Sequence, residues 1–147
     1  MRKRIATASS ILLALILPAA RAQAPAPTMK QLMLDLIHPA SNDILLTVNR
    51  GGPSDDKEWA AMRRSALALA ESGNTLAARV DSNDWRNAAK LLSDAGSEAY
   101  KAAQAKDAKA LAAVTAHIDA SCTNCHKQFR PNVFPGQASV FIRFYPS

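Results

Sequence analysis

The sequence predicts an all-α protein, an antiparallel up-down-up-down four-helix bundle with a short C-terminal extension. Three observations carry this. Gly numbers only 5 and aromatic residues make up 5% of the 147 positions, while Ala is abundant, a composition that leans towards helix and away from sandwiches and barrels. Hydrophobic residues at 48% against charged residues at 20% fit one globular domain and not a disordered chain. Apolar residues then recur at helical spacing in four stretches parted by short loops, and short loops join helices that run in opposite directions.

The first residues stand apart from that pattern and read as a secretory signal. Arg2, Lys3 and Arg4 precede the apolar run Ile11-Leu12-Leu13-Ala14-Leu15-Ile16-Leu17, which Pro18 breaks. Two small-x-small triplets follow, Ala20-Arg21-Ala22 and Ala22-Gln23-Ala24. The run over 11–20 is about half the roughly 20 residues of a membrane span, so export and cleavage are expected rather than anchoring. Cleavage after Ala24 would place Pro25 beyond the scissile bond, where its ring fits poorly. Cleavage after Ala22 is preferred, giving a signal peptide over 1–22 and a periplasmic mature chain. Removing 22 of 147 residues leaves 125, and four of the 18 basic residues go with them, so 14 bases face 12 acids, a net charge of +2. The basic balance of the precursor is mostly targeting charge and gives no support for nucleic-acid binding.

The bundle domain is expected over 23–130. Its first helix is read over 28–48, with Met29, Leu32, Met33, Leu36, Ile37, Ala40 and Ile44 on one face; Pro39 should kink or break it near His38. Asn49-Arg50-Gly51-Gly52-Pro53 is a loop. Ser54 or Asp55 caps the second helix, Glu58 standing three residues after Asp55 as in a capping box. That helix carries Trp59, Met62, Ala66 and Leu69 inward and fades between Gly73 and Val80. Asp81-Ser82-Asn83-Asp84 offers caps for a third helix over about 85–105, with Ala88, Ala89, Leu92 and Ala99 on one side and Gly96 as a mild weak point. After a turn at Lys106 and Asp107, the fourth helix places Leu111, Val114, Ile118, Cys122, Cys125 and Phe129 in phase and ends before Pro131.

The chemistry is concentrated in Cys122-Thr123-Asn124-Cys125-His126, which holds both cysteines of the chain. Cys-x-x-Cys-His is the attachment pattern of c-type haem. On a helix these residues fall at i, i+3 and i+4, on one face. Two thiols can form thioethers with two vinyl groups, and the adjacent imidazole can reach the iron. Three other readings compete. A redox Cys-x-x-Cys pair usually opens a helix in an α/β fold, and this one lies near a helix end with no strand pattern around it. A zinc site lacks a fourth ligand, and neighbouring Cys125 and His126 chelate awkwardly. The third is a plain structural disulfide.

The stretch Cys122-Thr123-Asn124-Cys125-His126-Lys127-Gln128-Phe129-Arg130, lying on the last of four helices, resembles the class II cytochromes c, the cytochrome c′ family. The resemblance spans roughly 28–130 and is strongest at this motif. It implies a four-helix bundle carrying covalent haem c, with Cys122 and Cys125 as attachment points and His126 as proximal iron ligand. The family divides by the other side of the iron. Gln31-Leu32-Met33-Leu34-Asp35 resembles the low-spin members, in which a first-helix methionine is the sixth ligand; this assigns Met33, with Met29 one turn earlier as the alternative. The implied function is single-electron transfer with redox partner proteins, not enzymatic turnover. The other family reading is a five-coordinate cytochrome c′ that binds NO or CO, Met33 then being an ordinary core residue. Members of the family often pair through their first two helices, so a homodimer is also expected as an option.

The remaining candidates are weaker. His38 points about 140° away from Met33, and His117 about 180° from His126, so both are read as surface residues. Arg130, one turn after His126, is suited to a haem propionate or to helix-end carbonyls, or stands in solvent. Phe129 is read as packing beside the porphyrin or against the next helix; Trp59 and Trp85 are core anchors. The extension over 131–147 holds Phe134, Phe141, Phe144 and Tyr145, four of the chain's eight aromatics, and is expected to pack on the bundle or on a partner. No nucleophile–base pair, phosphate loop or carboxylate dyad is evident.

Overall fold

The computed structural model describes residues 25–130; the signal segment and the aromatic extension lie outside the described residues. Among these residues the protein is all-helical, with four helices and no strand. Helix α1 spans 29–49 and is built of an opening turn Met29–Gln31, a π-helical stretch Leu32–Ile37 and an α-helical stretch His38–Asn49. Helices α2 (Asp56–Ala77), α3 (Asn83–Ala105) and α4 (Ala108–Phe129) follow. Each helix packs on its two neighbours in a ring, α1 on α2, α2 on α3, α3 on α4, and α4 back on α1. The diagonal pairs do not approach within 8 Å between Cα atoms. No described helix is long and apolar enough to cross a membrane.

The caps explain where each helix starts. Thr28 and Gln31 form a reciprocal capping box for α1. At α2 the Asp55 carboxylate accepts from the Glu58 N–H at 2.8 Å. The return bond differs from the expected box: Glu58 accepts from the Ser54 N–H at 2.7 Å and the Ser54 hydroxyl at 3.0 Å. Ser82 caps α3, which therefore begins two residues earlier than expected. Asp107 caps α4, reached through Lys106 in the left-handed conformation with φ of 54°.

Helix α1 departs most from its sequence pattern. Pro39 does not break it. The helix instead switches from i→i+5 to ordinary bonding around Pro39, with the His38 N–H reaching back to the Met33 carbonyl. Proline has no N–H, so the change of register falls where a hydrogen bond is missing in any case, and the wider turn relieves the ring's clash with the preceding carbonyls. One residue more per turn rotates what precedes it by about 100°. Leu32, five positions before Ile37, is therefore buried at 6% exposure, whereas Leu36, expected inward, is 39% exposed.

Glycine governs the α2–α3 seam. Gly96 is a site of close approach and not the weak point expected: a Cβ there would fall on the Ala70 backbone nitrogen. At Gly73 a Cβ would lie 2.6 Å from the Ser93 nitrogen and 2.7 Å from the Ala89 carbonyl oxygen. Helix α2 runs through Gly73 and ends at Ala77, inside the 73–80 stretch where it was expected to fade. Around the seam, Ala66, Leu69, Ala70, Ala88, Ala89, Leu92, Ala95 and Ala99 are buried, as the spacing predicts for most of them.

Gly96→Ala should gain about 1 kcal/mol of helix propensity but lose more by forcing two backbones apart. The expected net loss is about 1–3 kcal/mol, read as a lower Tm in thermal unfolding; an unchanged or higher Tm would contradict the close approach. The α2 cap carries a pH signature. The Ser54 bonds hold the Glu58 carboxyl below its usual range, and the Lys106 ammonium, 2.6 Å away, does the same for Asp56. A depressed carboxylate stabilises the fold above its unfolded pKa and loses that contribution as pH falls through the folded one. Glu58→Gln should thus be less stable than wild type at pH 7, and the difference should shrink as pH falls below about 4, where carboxylates begin to take up protons, as followed by urea unfolding across that range.

Candidate functional site

The site is assembled at one end of the bundle. The last turn of α4 meets the first turn of α3, where the Phe129 and Trp85 rings sit edge-to-face with centroids 4.9 Å apart and planes at 73°. Buried Trp85 donates its indole N–H to the Leu76 carbonyl oxygen at 2.5 Å. That carbonyl also takes the Arg79 N–H at 3.0 Å, and the Arg79 guanidinium donates to the Pro27 carbonyl at 2.6 Å, just before α1. The end of α4, the start of α3, the end of α2 and the start of α1 therefore share one end, and Cys122, Cys125, His126, Met29 and Met33 all belong to it.

The motif residues lie on the last turns of α4, and Cys122, Cys125 and His126 are each half-buried. Both thiols are free. Burial pushes the Cys122 thiol up, against a smaller opposing effect of the Ser121 hydroxyl, and burial also raises Cys125. A thiol–disulfide centre requires the reverse, a thiolate made cheap by its surroundings. Burial, with the Arg130 charge second, holds His126 below its ordinary value, so its imidazole is neutral at pH 7 and able to donate a nitrogen lone pair. Among the described residues no group of three or more His, Cys, Asp or Glu side chains is arranged to hold a bare metal ion.

The structure brings Phe129 onto the core and Arg130 into electrostatic reach of His126. Met33 is half-buried and packs against the core, as does Met29. No Cα of Leu32–Ile37 comes within 8 Å of α4. The stretch Leu32–Ile37 packs on α2 alone, whereas His38–Asn49 packs on both α2 and α4. The two helices thus part towards the end that carries the motif. Packed helices stand about 8–10 Å apart, which leaves no space for a plate between them, so a flat, covalently held group at the motif would need the wider Cα spacing found at this end. The residues present match such a group in type: free thiols on one helix face, a neutral imidazole beside them and an apolar wall of Leu76, Trp85 and Phe129.

No family model, curated protein or solved structure matches this chain.

His38 and His117 are both exposed, as expected. His38 faces Asn42, 3.3 Å from its Nδ1, and His117 pairs with Glu98 at 2.7 Å. Trp59 is core. The Trp85–Phe129 pair was foreshadowed only as two separate anchors; what joins them is that the first turn of α3 and the last turn of α4 stand at the same end. The bond to Leu76 and the Arg79–Pro27 clasp leave no mark in hydrophobic spacing.

Trp85→Phe keeps the ring contact and deletes one of two donors to the Leu76 carbonyl. It should cost about 0.5–1.5 kcal/mol, whereas Trp85→Ala, which empties the wall, should cost about 3–5 kcal/mol. Equal losses for the two variants in chemical denaturation would show that the ring itself contributes nothing.

Proposed function

We propose that this chain is an exported c-type cytochrome of the class II kind, carrying single electrons through covalent haem c. Cys122 and Cys125 are the attachment points, His126 the proximal ligand and Met33 the sixth ligand. The observation that carries the reading is the grouping on α4: two free thiols and a neutral imidazole, half-buried on one face, at the end where α1 and α4 part. An up-down-up-down antiparallel bundle accompanies it. Supporting that topology, Leu76 meets Trp85, Gly73 meets Ala89 and Ser93, and Gly96 meets Ala70; Asp43 pairs with Ser65 while Pro27 pairs with Arg79; Glu98 pairs with His117 while Trp85 meets Phe129.

Held by Cys122, Cys125, His126 and Met33, the haem would supply a one-electron couple, and a histidine–methionine ligand pair would favour its reduced form. The protein's own part is attachment and positioning. Each Sγ–H adds across a vinyl double bond, sulfur to one carbon and hydrogen to the other, with no change of net oxidation state. His126 offers a lone pair without first losing a proton. Trp85, Phe129 and Leu76 supply the apolar side, and Arg130 supplies a cation suited to a propionate. Periplasmic location follows from the signal-like residues 1–22. Exposed Leu34, Leu36 and Leu67 on α1 and α2 support pairing of two copies through those helices.

Replacing Cys122 and Cys125 with Ser should leave no covalent haem on the denatured chain by mass spectrometry. His126→Ala should lose the native absorption spectrum. Retention of either property would refute the motif assignment. Met33→Ala should convert six-coordinate, low-spin iron to high-spin and open fast CO binding to the ferrous form. Because Met33 is only half-buried, its packing loss should be about 1–2.5 kcal/mol, half the range for a buried methionine. Met29→Ala should leave the iron unchanged. A wild type already high-spin and CO-reactive would replace electron transfer with the gas-binding reading, in which Met33 only packs.

A further inference from the structure

The π-helical stretch of α1 holds Met33, and this stretch is unexplained by core packing alone. Counting back in α-helical steps from the buried Ile44, Ala40 and Ile37, the residues that belong in the core are Leu36 and Met33. The structure buries Leu32 instead, leaves Leu36 exposed and turns Met33 half outward. An uninterrupted α-helix would place Met33 directly beneath Ile37, locked in the core. The extra residue in the turn moves Leu32 there and brings Met33 round to the flank. Short π-helical turns of this kind occur mostly at functional sites.

We infer that Pro39 is a positioning residue for Met33: by withholding a backbone N–H at the register change, it keeps the turn before it π-helical and thereby keeps Met33 at the half-buried flank of the core, not locked inside it. The inference rests on the proposed role of Met33 as sixth ligand. One detail supports the cause. The last i→i+5 bond of the stretch is donated by His38, the residue immediately before Pro39.

The experiment uses the full chain with Pro39→Ala, and the same variant with Leu34 also deleted. Alanine supplies the missing N–H, so α1 should relax to a continuous α-helix. The His38 N–H should then bond to the Leu34 carbonyl in place of that of Met33, read by NMR coupling across the hydrogen bond. Met33 should turn into the core, and the iron should become high-spin and bind CO at least tenfold faster, with helix content and Tm equal to or above wild type. Deleting Leu34, an exposed residue, removes the extra residue. The double variant is continuous α-helix with Leu32 now four positions before Ile37, again beneath it, and Met33 again on the flank, so the low-spin spectrum should return. A residue that only packs would not lose and regain the ligand in this way. An unchanged His38 coupling in Pro39→Ala overturns the role of Pro39. A shifted coupling with an unchanged spectrum overturns the positioning of Met33, as does a folded double variant that stays high-spin. Wild type without covalent haem would sink the functional reading instead, and the coupling alone would then decide whether Pro39 holds the turn.

Discussion

The close approach of α2 and α3 is the constraint from which the rest of the molecule is built. Where Gly73 and Gly96 face backbone atoms of the opposite helix, no side chain intervenes, and the surrounding positions are mostly alanine. Dispersion contact between backbones replaces the interlocking of large side chains. Such a seam tolerates little sliding, because a shift along either helix would bring a Cβ against a backbone. The relative height of Leu76 and Trp85 is therefore fixed, and through the indole bond so is the first turn of α3.

That turn transmits the constraint to the candidate site. Phe129 rests its edge against Trp85, and Phe129 is one helical turn beyond His126 on the same helix. The imidazole is thus referred, through two aromatic rings and one carbonyl, to the rigid α2–α3 pair. On the opposite side the Arg79–Pro27 bond refers the start of α1 to the end of α2. Both helices that bear the proposed iron ligands are aligned against the same pair but not against each other at that end, and the space between them follows from this arrangement.

Much of this was legible in the sequence. Helical spacing located all four helices, and Trp59, Met62, Leu69, Leu111, Val114 and Ile118 were readable as core because α-helical periodicity and burial agree there. The caps at Asp55 and Ser82 were among the candidates read from sequence, because short polar side chains bond to nearby N–H groups wherever they stand, whereas Asp107 was read only as part of a turn and proves to be the cap of α4. The motif at Cys122, Cys125 and His126 was readable from residue type and spacing. What could not be read has two origins: some of it depends on the partner element, and some on a local change of helix register. Gly96 counts as a weakness in an isolated helix and as a necessity only once Ala70 stands opposite. Leu36 looks inward under a fixed 3.6-residue period, and the π turn changes that period locally. The single proline that signalled trouble near His38 did not say whether the helix would break or widen.

The ring arrangement also has a kinetic side. Three of its four contacts join helices adjacent in the chain, and such contacts form with little loop-closure entropy. Only the α1–α4 contact spans the whole domain, and it is confined to His38–Asn49. The α2–α3 hairpin is therefore the natural nucleus, α4 adds to it locally, and α1 closes the ring last. Run backwards, the same order makes α1 the leaf of lowest local opening free energy. The bundle can thus breathe along one edge while its glycine seam stays shut.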